Sequence, residues 1–265
     1  MTPDELWTEW SFEPNLVIPL ACSAALYAWG QFKAPRASTR NQSFFYWGGW
    51  LFLALALISP LHEMGEALFS AHMVQHEILM LLAAPLLVIS RPLATYLHAL
   101  PARWRRTVGR WSKIGIIATP FSAWFIHAAA LWIWHYPPLF QATLTSDWIH
   151  AAQHASFFLS ALVFWWALFY GRGRHSYGSG VLYIFTTGIH TGILGALLTL
   201  SSRVWYPAYQ NTTAAWGLTP LEDQQLGGVV MWVPASLVYL AAGLVLFAAW
   251  IKNSGSTQGE KVYAG

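Results

Sequence analysis

The sequence predicts an all-α, polytopic membrane protein with seven transmembrane helices, its N-terminus outside and its C-terminus cytoplasmic. Three observations carry this. The chain of 265 residues is 56% hydrophobic and only 9% charged, whereas a soluble domain carries about 25% charged residues. Its apolar residues gather in runs close to the roughly 20 needed to cross about 30 Å of hydrocarbon. Every lysine and arginine except Arg203 falls between alternate runs or after the last one. With a mean hydropathy of +0.42, a disordered chain, a collagen, a coiled coil and an ordinary soluble enzyme are excluded.

The runs cover residues 15–32, 44–59, 67–89, 114–136, 148–170, 179–200 and 226–251. Pro60 closes the second, and polar residues interrupt the third. Pro19, Pro85 and Pro234 fall inside runs, where neighbouring helices can satisfy the carbonyls they free. In the sixth, Gly188 and Gly192 are spaced as GxxxG, a face that admits close helix approach and is compatible with a homo-oligomer. Residues 1–252 read as one transmembrane domain and 253–265 as a cytoplasmic tail without order. No basic n-region with a small-residue cleavage site opens the chain, so no cleaved signal peptide is expected.

Lys33, Arg36 and Arg40 follow the first run. Arg91, Arg103, Arg105, Arg106, Arg110 and Lys113 follow the third, Arg172 and Arg174 the fifth, and Lys252 and Lys261 the seventh. Cytoplasmic loops concentrate Lys and Arg, which sets the orientation. Asp4, Glu5, Glu9, Glu13, Glu63, Glu66, Asp147, Glu222 and Asp223 then all lie outside, which supports an odd number of spans. The pI near 9.0 reflects topology, and the lipid bilayer is the expected partner, not nucleic acid. Cys22 is the lone cysteine; it rules out an intrachain disulfide or a Cys-x-x-Cys pair and is expected to be a buried apolar residue. Trp132, Trp134, Trp148, Trp205 and Trp216 suit an outer interfacial belt.

Of ten histidines, His98 and His175 read as solvated cytoplasmic loop residues. The others, His62, His72, His76, His127, His135, His150, His154 and His190, map to the outer loops or the spans. At 1.5 Å per residue His72 lies about 8 Å deep, His154 about 9 Å, His127 about 13 Å, His76 about 14 Å and His190 about 15 Å, with His135 and His150 near the surface. His72 and His76 stand in H-M-V-Q-H, and His150 and His154 in H-A-A-Q-H. Residues at i and i+4 share a helix face, so each pair can ligate one ion or line one cavity. Gln75 and Gln153 precede the second histidine of each pair. Glu77 is the one formally charged side chain placed inside the membrane, where a carboxylate needs a partner or a function. It suits a metal ligand, an acceptor that fixes a histidine tautomer, a proton carrier, or a protonated hydrogen-bonded group. Single histidines such as His127 and His190 serve equally well as interhelical hydrogen-bond partners. Met73 and Met80 read as packing before ligation. Glu222 and Asp223 open a helix after Thr219 and Pro220, where they complement its dipole; attraction of a cation is the alternative.

H-M-V-Q-H followed by L-M-L-L-A-A-P-L-L-V and R-P-L (72–93), W-H-Y-P-P-L-F and then H-A-A-Q-H (134–154), and Y-P-A-Y, W-G-L-T-P-L-E-D-Q-Q-L-G-G and M-W-V-P (206–234) together resemble the multi-span CtaG family of cytochrome c oxidase assembly factors. The resemblance covers roughly residues 62–246. It implies seven spans and a role in maturing a haem-copper oxidase, with cytochrome c oxidase subunits as partners and copper handled at the outer face. Its motifs fall on His72, His76, His135, His150, His154, Glu222, Asp223 and Gln224, with His127 and His190 at further family histidine positions.

The sequence therefore predicts a copper site from His72, His76, His150 and His154, with His127, His190, His135 and Glu77 as further candidates, in a protein that holds metal and turns over no substrate. Zinc and haem are the alternative cofactors. An intramembrane zinc hydrolase would use three histidines with Glu77 as general base, a haem protein would use axial histidines from different helices, and a transporter would need a polar path to the cytoplasm.

Overall fold

The computed structural model describes residues 8–111, 119–171 and 177–263. Every regular element among them is helical. The helices run α1 (Pro14–Lys33), α2 (Arg40–Ile58), α3 (Pro60–Ala67), α4 (Phe69–Glu77), a π-helical turn (Ile78–Ala83), α5 (Ala84–Ser90), α6 (Leu93–Ala99), α7 (Ala102–Trp111), α8 (Pro120–Trp134), α9 (Pro137–Thr143), α10 (Asp147–Tyr170), α11 (Tyr177–Thr199) and α12 (Pro220–Tyr263).

Four helical stretches are long and apolar enough to cross a membrane: Phe69–Ser90, Asp147–Tyr170, Tyr177–Thr199 and Pro220–Lys252. A fifth results if α2 and α3, bent by 46° at Ser59, form one broken span. The first apolar run does fold as α1, but Asn15, Ser23 and Gln31 dilute it. The fourth appears as α8, 15 residues long, because residues 114–118 lie outside the described set, as does His175. The exposed surface is strongly apolar, with Phe44, Phe121, Phe185, Leu237 and Val245 all facing outward. In water such a surface would be a liability; in lipid it is the expected one.

Two expectations are corrected. Cys22 is exposed, since α1 packs mainly through Leu20, Tyr27 and Gly30. The final helix is described to Tyr263. At Gly188 an added Cβ would meet nothing within 4 Å, whereas at Gly195 it would meet Trp232 Cβ at 2.8 Å and the Gly228 carbonyl at 3.0 Å. The close approach of α11 and α12 is therefore centred three residues beyond the GxxxG pair, where Gly195 faces Gly228.

The span 69–90 is continuous despite Pro85. A proline at this position lacks the N–H that continues the ladder. The backbone widens into the π turn immediately before it, and the Met80 carbonyl, five residues back, accepts the indole N–H of Trp165 on α10 at 2.8 Å. Buried Met80, Leu81, Phe157, Phe164, Trp165 and Tyr239 pack around this joint.

The loop between α11 and α12 closes one end of the helix bundle. Tyr206 donates to the His135 carbonyl at 2.9 Å, Tyr209 to the Gly65 carbonyl at 2.9 Å and Thr212 to the Ala67 carbonyl at 2.6 Å. Burial pushes both phenols above the ordinary tyrosine range, so they stay protonated donors. Gln224 accepts from the Trp205 amide at 2.6 Å and donates to the Arg203 carbonyl at 3.0 Å. Phe69, Phe140, Tyr206 and Tyr209 fill the space beneath.

Candidate metal centre

Two local breaks in the chain and one long-range cap bring five imidazoles together. Ser59 ends α2 and accepts from the Leu61 amide at 3.3 Å, and Pro60 begins α3, which carries His62 over the top of α4. Leu68 is extended and supplies no side-chain cap to α4. The cap comes instead from Asp223 of α12, buried, whose carboxylate accepts from the Phe69 amide at 2.7 Å, the Ser70 amide at 3.1 Å and the Ser70 hydroxyl at 2.5 Å. This fixes the start of α4, hence the depth of His72 and His76. On α10, His150 and His154 face the same space from the other side.

The ring centroids of His72 and His76 lie 4.3 Å apart, those of His150 and His154 4.3 Å, His72 and His150 5.1 Å, His76 and His154 5.2 Å, and His72 and His154 5.6 Å. His62 stacks on His150 at 5.1 Å and lies 6.0 Å from His154. All five are buried. Two triads have ligand atoms within 4.8 Å of one another: His72, His76 and His154, and His62, His150 and His154.

The ring nitrogens answer whether this space suits a cation. Both nitrogens of His76, and Nε2 of His150 and of His154, are buried without a hydrogen-bond partner. Buried polar atoms are normally paired, and several aimed into one space fit an absent ion. The glutamines cross over. Gln153 on α10 presents Oε1 to His72 Nε2 at 3.0 Å, and Gln75 on α4 donates to the Ala56 carbonyl at 2.7 Å and lies 3.0 Å from His62 Nδ1. With Oε1 accepting, the proton of His72 sits on Nε2, which leaves the Nδ1 lone pair for a ligand. An all-imidazole donor set suits copper, zinc, iron or nickel.

The remaining candidates stand elsewhere. His135 caps α8 with Nδ1 2.6 Å from the Leu131 carbonyl; its ring is 6.0 Å from Phe157, which in turn lies 4.5 Å from His76. His127 is 3.0 Å from the Ser160 hydroxyl through Nδ1, and His190 lies edge-on to Trp124 at 5.3 Å. Glu77 has a buried, unpartnered Oε2 and interacts electrostatically with Tyr239 of α12. None of these four belongs to either triad. Met73 and Met80 pack in apolar clusters. Glu222 is exposed and makes a capping box, accepting from the Thr219 amide and hydroxyl, both at 2.8 Å. Glu222 and Asp223 are thus helix caps, Asp223 for a helix other than its own. His62 is the residue that the paired spacing overlooks. Its signal lies in Ser59 and Pro60, which start a new helix there and do not merely end the old one.

The sequence model of a family described as cytochrome c oxidase caa3 assembly factor (Caa3_CtaG) matches residues 25–253. Uncharacterized proteins of Mycobacterium leprae, Mycobacterium bovis and Mycobacterium tuberculosis are each 25% identical over 222 residues, covering 77% of this chain. The chain spans only 34% of the length of these relatives. No solved structure matches.

Proposed function

Because the chain belongs to the Caa3_CtaG family of cytochrome c oxidase caa3 assembly factors, we propose that it holds a copper ion at His72, His76 and His154 as cargo for the copper centre of a haem-copper oxidase. The observation that carries this reading is the buried triad with unpartnered ring nitrogens. Among first-row divalent ions a given nitrogen site binds copper most tightly. Three neutral imidazoles add no charge, so the ion keeps its full attraction for an acceptor site. The packing of five imidazoles at centroid distances of 4.3 Å to 6.0 Å leaves no slot for a porphyrin, which favours an ion over haem.

The proposal places the triad in the outer half of a seven-span bundle in a bacterial cell membrane, N-terminus outside, with the arginine-rich connections cytoplasmic. Oxidase subunits dock at the outer face. The test is a His76→Ala, His154→Ala double variant in a strain that relies on the oxidase. The expected result is normal amounts of the variant in the membrane and loss of oxidase activity with oxidase haem still present. Full oxidase activity would sink the copper role. Loss of haem in place of copper would transfer the role to haem delivery.

A further inference from the structure

The two triads share His154, and they differ in depth. His150 lies in the first turn of α10 and His154 one turn further in. His72 likewise precedes His76 by one turn on α4. Exposure is 5% at His62 and His150 and 4% at His154, against 1% at His76 and 0% at His72. The outer triad is the one next to negative charge. Glu13 and Asp147 act electrostatically on His62, and Glu66 stands near both carboxylates.

The donors also differ in readiness. His76, Nε2 of His150 and Nε2 of the shared His154 have no competing hydrogen bond, and His72 Nδ1 has none while Gln153 holds its Nε2. In the outer triad Gln75 donates toward His62 Nδ1 at 3.0 Å, so an ion using His62 competes with that hydrogen bond or with the proton on its other nitrogen. The outer position is therefore the weaker and the more accessible, and the inner position the stronger and the more enclosed.

We propose that the cluster is a two-position relay for one ion. The ion enters between His62, His150 and His154, then moves inward by exchanging His62 and His150 for His72 and His76 while His154 stays bound. Each step swaps neutral imidazole for neutral imidazole, so no electron is transferred and the ion's charge is unchanged. Because the two positions draw on the same third ligand, they are occupied alternately. This rests on the copper reading of the inner triad and adds a second site, a shared ligand and a direction of travel.

The experiment uses the full chain purified in detergent and loaded with Cu(I), with a chromophoric chelator as competitor. One ion per wild-type chain is expected. His62→Ala and His150→Ala, two independent outer variants, should keep the wild-type affinity within about threefold but take up Cu(I) at least about tenfold more slowly. His76→Ala should still bind one ion, at least about tenfold more weakly, and His154→Ala should lose more affinity than any other single variant, since ligand loss exceeds the 10–100-fold typical of outer-shell changes. Two ions per chain would overturn the shared ligand. Wild-type uptake rates in both outer variants would overturn the entry position. Absence of copper binding in every form, wild type included, would instead bring down the copper reading beneath it.

Discussion

An imidazole offers a lone pair at one nitrogen when the other carries the proton, and the partner of that proton decides which. At His72 the partner is Gln153 Oε1, 3.0 Å from Nε2. Gln153→Leu removes that acceptor without touching a ligand. Copper affinity measured by chelator competition is expected to fall by about 10–100-fold, with the protein still accumulating; Gln153→Glu, which keeps an acceptor oxygen, should fall less. Unchanged affinity in the leucine variant would show that the glutamine only fills space. The H-x-x-Q-H spacing made both pairs and both glutamines visible in the sequence, because four residues on a helix is a fixed geometry. It could not show that each glutamine serves a histidine on the other side of the cluster. That depends on which helix faces α4, a tertiary fact with no local signature. The role of Asp223 was hidden for the same reason: its partners, Phe69 and Ser70, precede it by about 150 positions.

The helices themselves were legible in type and place, since each apolar run folds as a helix where it is described. Their ends and joints were less so. Pro60 reads as a stop for α2 and is also the first residue of α3, and this double role carries His62 into the cluster. The joint that sets the depth of the inner triad is the start of α4, whose own Leu68 caps nothing. Asp223→Ala would leave the Phe69 and Ser70 amides without a partner in a buried place. A cost of about 2 kcal/mol is expected from a lost cap and stranded donors, read as a lower unfolding temperature in detergent. Copper affinity should fall with it, because the first turn of α4 carries His72. A variant as stable as the wild type would show that water or another side chain takes over the cap.

At the scale of the whole molecule, the strongest feature is the separation of charge along the chain, with Arg203 the one basic residue outside the alternate connections and the C-terminal segment. Moving charged loops across lipid is costly, and under the proposed topology this asymmetry puts the cluster near the outer face. A reporter active only in the cytoplasm should be silent when fused at Ala142 or Thr212 and active at Arg103. The reverse pattern would place the triads toward the cytoplasm and remove the route to an outer copper centre. Span number was the least legible property at this scale. Four helices are long and apolar enough to cross a membrane, or five with the bent pair, because α1 is diluted by polar side chains and α8 is described for only 15 residues.

The π turn of residues 78–83 has a consequence for how such a chain can change over generations. It holds one residue more than an α-helix would need in the middle of a span, directly below His76 and Glu77. Dropping that residue would return the turn to α-helical winding and leave the segments on either side close to their present facing, while His72 and His76, lying before it, keep their spacing. The upper half of the span carries the imidazoles, and the lower half, from Ala84 to Ser90, carries the packing against α2 and α10. A joint of this kind absorbs the gain or loss of one residue, so the length of the span can change without disturbing either the ligands or the anchor.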